Sequence, residues 1–369
     1  MKKLSILTTP AVALGVAVLC APQALAASYT LNQTNIDAAA AAFGTQHNGI
    51  FCSDTTKDFC TLDEGEWVQD GDINLTTVQI DGTPITGLVL QKNVTITNSD
   101  DSTITGNISI SGAEVTLNDL NVNGNVKVED ADAEVTINGG NYTGEGGDAA
   151  LRIDNAKSVE INDANLRAGE ASAAYVWTGD ITITGNSTFA SEKDNGIEFF
   201  GLNSLNISGG TFTGAKSGIA FEGAPAAGKV SLTGGTFTGT SANGNAIIVS
   251  DTADSTAIVS GMVAAGYHFS NGKIETKTET TYGLGGGTFT YTYIAGTTEV
   301  AADGEGEESQ NTDPTSTSTT KKSGIKAPDT GVFTTEGGSA KDGSTLAIVA
   351  ALATVAFGTV LIKKYSKRA

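Results

Sequence analysis

The chain has 369 residues and a net charge of −20, from 21 basic and 41 acidic side chains. So acidic a surface repels nucleic acid and anionic membrane surfaces, which excludes a nucleic-acid-binding role. Aromatic residues make up only 6% while glycine alone contributes 46 residues, a composition suited to thin repetitive β-structure rather than one large globular core.

The chain opens with MKKLSILTTPAVALGVAVLCAPQALA. Lys2 and Lys3 form a positive start and Ala11 to Leu19 an apolar run. Ala24-Leu25-Ala26 supplies the small-x-small pattern of an export cleavage site. Residues 1–26 are therefore expected to be a signal peptide, cut between Ala26 and Ala27.

Residues 27–62 are expected to form an N-terminal cap. Asn35 is placed to cap an Ala-rich helix running through Phe43. Cys52 and Cys60 are the cysteines left after leader removal. In an oxidising exterior they are expected to close a short loop as a disulfide.

Residues 63–275 carry an internal repeat. VTLNDLNVNG begins at Val115, VTINGGNYTG at Val135, VEINDANLRA at Val159, ITITGNSTFA at Ile181, LNISGGTFTG at Leu205 and VSLTGGTFTG at Val230. A looser copy starts at Val94, and successive starts lie 20 to 25 residues apart. Each copy alternates strictly, as in Val135, Thr136 and Ile137, the period of a half-buried strand. An Asn/Asp/Gly turn follows, then one apolar residue: Val122, Tyr142, Leu166, Phe189, Phe212 and Phe237 in successive copies. A further alternating strand completes several copies, at Leu151/Ile153, Ile197/Phe199, Ile219/Phe221 and Ile247/Val249. No copy can bury its own apolar face, so stacking is required. The predicted fold is all-β, a right-handed parallel β-helix.

Val259 to Thr276 breaks the repeat, and its Val-Ala-x-Gly-Tyr (Val263 to Tyr267) resembles segments that close β-helical repeats in other bacterial surface proteins. Residues 276–298, rich in Thr and Tyr, are expected to make a small hairpin. Residues 299–326, acidic and then Thr/Ser-rich, hold too few apolar side chains to fold and read as a disordered spacer.

Ala327, Pro328, Asp329, Thr330 and Gly331 follow. After them come a spacer (332–344), an apolar span of 18 residues (345–362) and a basic tail (363–369). The span is just long enough to cross a bilayer as a helix, and Lys363, Lys364, Lys367 and Arg368 would keep the tail cytoplasmic. Pro-x-Thr-Gly, apolar span and basic tail in this order resemble the sorting signal of sortase-anchored bacterial surface proteins. The resemblance implies cleavage between Thr330 and Gly331 and transfer of Thr330 to peptidoglycan. Ala327 stands where the common motif has Leu. The expected location is the extracellular surface of a monoderm bacterium, in the wall or at the plasma membrane.

The parallel β-helix also serves pectate lyases, polygalacturonases and phage depolymerases, and a fold does not assign an activity. A hydrolase site of that kind wants clustered Asp with a nearby His, yet His47 and His268 lie outside the repeats. A lyase wants an Arg base, for which Arg152 is the candidate, with Glu198 two coils along and Val176 placed between them. Tyr175 or Phe200, if outward, would stack on a sugar ring, whereas Trp177 and Phe199 are aligned with Ile153 as core. Arg152, Tyr175 and Glu198 thus define a candidate ligand face, with a solvated or salt-bridged Arg152–Glu198 pair as the plainer reading. Asp100-Asp101 and Glu129-Asp130-Ala131-Asp132 offer oxygen ligands of the type Ca²⁺ takes, and equally the residues that tight turns favour. Three functions stay open: adhesion to glycans or other cell surfaces, polysaccharide cleavage, and a passive surface spacer.

Overall fold

The computed structural model describes residues 27–53, 59–80, 82–251, 255–281 and 287–303. The leader through Ala26, the motif Ala327 to Gly331 and the apolar span 345–362 lie outside the described residues. Among the described residues no helix is long and apolar enough to cross a membrane. Residues 27–279 and 288–303 belong to one compact unit, which is a parallel β-helix.

Three sheets wind together, of nine, ten and twelve strands. In the first, Glu114–Asn118 pairs in parallel with Glu134–Asn138, that with Ser158–Asn162, and so on to Val230–Leu232. Thr116, Thr136, Glu160, Thr182, Asn206 and Ser231 form one outward column, while Val115, Val135, Val159, Ile181 and Leu205 form a buried one. The second sheet carries the ladder Val122–Tyr142–Leu166–Phe189–Phe212–Phe237, all buried. Phe212 stacks on both Phe189 and Phe237 with centroids 5.0 Å apart. Fully burying one such side chain contributes about 1.5–3 kcal/mol, so the ladder supplies cohesion that the polar exterior cannot.

Turns repeat as faithfully as strands. Asp119 (φ 56°) stands over Gly139 (φ 67°), and Asp163 (φ 54°) over Gly185 (φ 65°). A Cβ on Gly139 would fall 2.1 Å from Asp119 Oδ1, so the coil that packs against such an Asp needs Gly at that place. Beside these turns the amides of Asn141 and Asn165 continue a ladder, donating to Asn121 Oδ1 and Asn141 Oδ1 at 2.8 and 3.0 Å.

The two ends differ from the sequence expectations in detail. The cap helix is Gln33–Ala41, and its N-cap is Asn32, whose side chain accepts from the Asn35 backbone N–H at 2.9 Å. Asn35 instead donates its amide to Thr30 O, because a capping oxygen must precede the N–H it receives by two or three residues. Tyr29 stacks on buried Trp67 at 4.6 Å beneath this cap. Cys52 and Cys60 are joined by a disulfide, opposite each other in an antiparallel pair.

At the other end Gly287–Ala295 is not a separate hairpin. It runs antiparallel to Asn245–Asp251 and so extends the third sheet, with Ile274–Thr281 beyond it. Thr297–Ala302 pairs antiparallel with Thr236–Gly239, so residues 299–302 belong to the folded body rather than to a spacer. The last coil would otherwise present open strand edges, and antiparallel partners satisfy them.

Candidate functional site

The third sheet contains the strands Leu151–Ile153, Ala174–Val176, Ile197–Phe199 and Ser217–Phe221 on successive coils. Their register is Leu151↔Ala174↔Ile197↔Ile219 and Ile153↔Val176↔Phe199↔Phe221, two buried columns. Between them Arg152, Tyr175, Glu198 and Ala220 form the outward column. The residue between Arg152 and Glu198 is therefore Tyr175, not Val176, because Val176 shares the inward parity of Ile153.

The same parity moves Trp177 out of the core. Ladder hydrogen bonds continue one step past the strands, with Trp177 N donating to Ile153 O and Phe200 N to Val176 O, each at 2.8 Å. Asp154, Trp177, Phe200 and Glu222 thus make a second outward row. Trp177 and Phe200 stack with centroids 4.5 Å apart and planes 11° from parallel. Tyr175 lies 5.9 Å from each ring, and the Arg152 guanidinium sits 4.7 Å from the Trp177 centroid. Phe200 is 42% exposed, one of two phenylalanines, with Phe43, that stand exposed among the described residues.

Arg152 and Glu198 do not pair. Arg152 Nε donates to Asp154 Oδ1 at 2.6 Å, while Lys127 approaches Asp154 Oδ2 at 3.3 Å. Glu198 Oε2 accepts from Ser172 Oγ at 2.9 Å and from Asn195 Nδ2 at 3.1 Å. Only 9% of Glu198 is exposed, and burial is the main reason its carboxyl is pushed up from 4.5 to about 7. Asp194 and Glu222 add like charge, while the Ser172 and Asn195 bonds oppose the shift. Asp194 itself is held by Lys216 at 2.8 Å. Burial also raises the Tyr175 phenol, whose oxygen accepts from Ser172 N at 3.3 Å.

Sequence reasoning placed Tyr175 and Phe200 as possible outward rings but missed Trp177, and it missed Ser172, Asp194 and Asn195 entirely. The adjacent pair Phe199-Phe200 held the signal, since one of two consecutive strand residues must leave the core. Nothing local to Glu198 announced that turns from two coils would cover it.

The acidic turns serve the backbone. Asp100 Oδ1 accepts from Ser102 N and Oγ, its Oδ2 from Gly71 N, and these bonds hold its carboxyl below the ordinary range. Asp130 Oδ1 accepts from Asp132 N at 3.0 Å. A polar cleft of about 530 Å³ opens beside Asp100, Asp101 and Asp119. Among the described residues no group of three or more His, Cys, Asp or Glu side chains is arranged to hold a metal ion.

No protein-family model, curated protein or solved structure matches this chain. Fold and site define a parallel β-helix protein whose outer face carries an aromatic and acidic patch.

Proposed function

We propose that this is a cell-surface display protein that contacts glycans through the Trp177–Phe200 stack, with Tyr175 and Arg152 beside it. The observation carrying the proposal is the exposed stack itself. Apolar ring faces in water are costly unless they meet a partner, and sugar rings present C–H faces that suit them. The first sheet, by contrast, turns outward a polar column from Thr116 to Ser231, so the stacked rings are not a general feature of the exterior. The export leader, the Ala327 to Gly331 motif and the apolar span support display by sortase-type attachment of Thr330 to peptidoglycan. The test is binding of the full-length protein to a glycan panel, with Phe200→Ala beside it. Loss of a glycan signal in that variant supports the reading; a panel that shows no binding ends it.

A second reading, cleavage of a polysaccharide, is favoured by one observation. Glu198 follows Tyr175 in the outward column with its carboxyl pushed up to about 7 by burial, the range a general acid needs. Chain-length measurement of acidic and neutral polysaccharides after incubation decides it. Shortening that disappears in Glu198→Gln would make this protein an enzyme.

A further inference from the structure

The Arg152–Trp177–Phe200 stack has unlike ends. At its first end a cation covers the ring: Arg152 lies over Trp177 at 4.7 Å and is itself held by Asp154 at 2.6 Å. Arg152 comes from the coil before Trp177 and Phe200 from the coil after, so they occupy opposite faces of the indole. The free face of Phe200 must then look towards the next coil, where the same row holds Glu222, whose N–H bonds Phe199 O at 2.8 Å.

That second end has the Glu222 carboxylate without a cation. Glu222 is exposed, and no described residue forms an ion pair with it. The neighbouring row offers Glu198 and then Ala220, and the coil beyond offers Ile248 and Ser250. Lys216 is engaged by Asp194. An aromatic face beside carboxylate groups attracts a cation through the ring quadrupole and through charge together.

We propose that the open face of Phe200 receives an amino sugar, its ring carbons on the phenyl face and its ammonium group between Phe200 and Glu222. The proposal rests on the glycan-contact reading above and names its ligand class. The ligand repeats what the chain does for itself at the other end, where Arg152 and Asp154 cover Trp177. A protein of net charge −20 also concentrates cationic ligands near its surface before contact.

Trp177 provides the readout, because the other tryptophan, Trp67, is 1% exposed beneath the cap. Its fluorescence in the full-length protein is followed at mildly acid pH, where an amine is charged. The probes are a short glucosamine oligomer, its N-acetylated form, a glucose oligomer of equal length and a lysine peptide of equal charge. We expect the glucosamine oligomer to bind about 10-fold tighter than its acetylated form. Phe200→Ala should cost about 10-fold and Glu222→Gln about 5-fold.

Equal affinity for all three sugars, still lost in Phe200→Ala, would overturn the ammonium site and leave the glycan reading standing. No binding of any sugar would overturn both. A lysine peptide as tight as the glucosamine oligomer would overturn the sugar assignment. Amine binding that survives Phe200→Ala would reduce the effect to the protein's overall charge and overturn the site.

Discussion

Trp177 and Phe200 stack face to face at 4.5 Å across adjacent coils, while their chain neighbours Val176 and Phe199 stand in the core. One residue of register separates a structural ladder from an exposed aromatic surface. The β-helix sets the spacing of the two rings, since the backbone under each is hydrogen-bonded to the coil before it. Function at such a face follows from which side chains parity sends outward.

Glu198 makes stability depend on pH. Its carboxyl is pushed up from 4.5 to about 7, so between these values the folded protein keeps a proton that the unfolded chain has released. Stability should therefore fall as pH rises through this window and level off above it, by on the order of 3 kcal/mol at most. Glu198→Gln should flatten that slope and raise stability near pH 8, because Ser172 and Asn195 can still donate to the amide oxygen. Urea unfolding at about pH 5 and about pH 8 checks both statements. A variant with the same slope as the parent would show that Glu198 is not the group responsible.

Tyr142 places a hydroxyl in the Val122–Leu166 ladder with no hydrogen-bond partner among the described residues, and burial pushes its phenol well above the ordinary range. An unmet buried polar group costs about 1–3 kcal/mol. Tyr142→Phe should thus be neutral or stabilising by about 1 kcal/mol, read as a raised Tm. Clear destabilisation would mean that the hydroxyl has a partner such as an ordered water.

Phe212 and Phe200 provide an opposed pair. Phe212→Ala removes the middle ring of a buried stack and should cost about 3–5 kcal/mol. Phe200→Ala removes a ring from the outer face and should cost less than about 1 kcal/mol. Similar losses in thermal unfolding for the two variants would contradict the division into core ladder and contact surface. The comparison also shows whether binding lost in Phe200→Ala reflects the site or the fold.

Thr330 is the expected attachment residue. Thr330→Ala should leave the protein in the membrane fraction as an unprocessed precursor, whereas the parent is expected to be released by wall-digesting enzymes. Normal wall attachment of the variant, seen by fractionation and blotting, would refute sortase processing at this position.

Much of the architecture was legible because a solenoid is local physics repeated. Alternation in Val135, Thr136 and Ile137, followed by Asn138-Gly139-Gly140, predicts a strand and a turn. Similar copies then align as stacked coils, and both the Thr116 to Ser231 column and the Val122 to Phe237 ladder were readable this way. The coil around Trp177 was misaligned because Ala174 and Val176 give a weak apolar signal, while Trp177 looks like the natural core residue. Hydrophobicity favours burying indole there; the two-residue period does not allow it.

What the sequence determined by itself is the repeat, the inward parity of most strands and the turn chemistry, since each depends on residues close in the chain. Only the tertiary structure decided the site. Arg152, Trp177 and Phe200 meet because three coils stack in one register, and Glu198 is covered because turns at Ser172 and Asn195 fold over it. The Ser172–Glu198 bond spans 26 residues, while Asn195 lies three residues before Glu198 and is tied back to Ser172 across 23; the burial this creates between coils moves the Glu198 carboxyl towards neutrality.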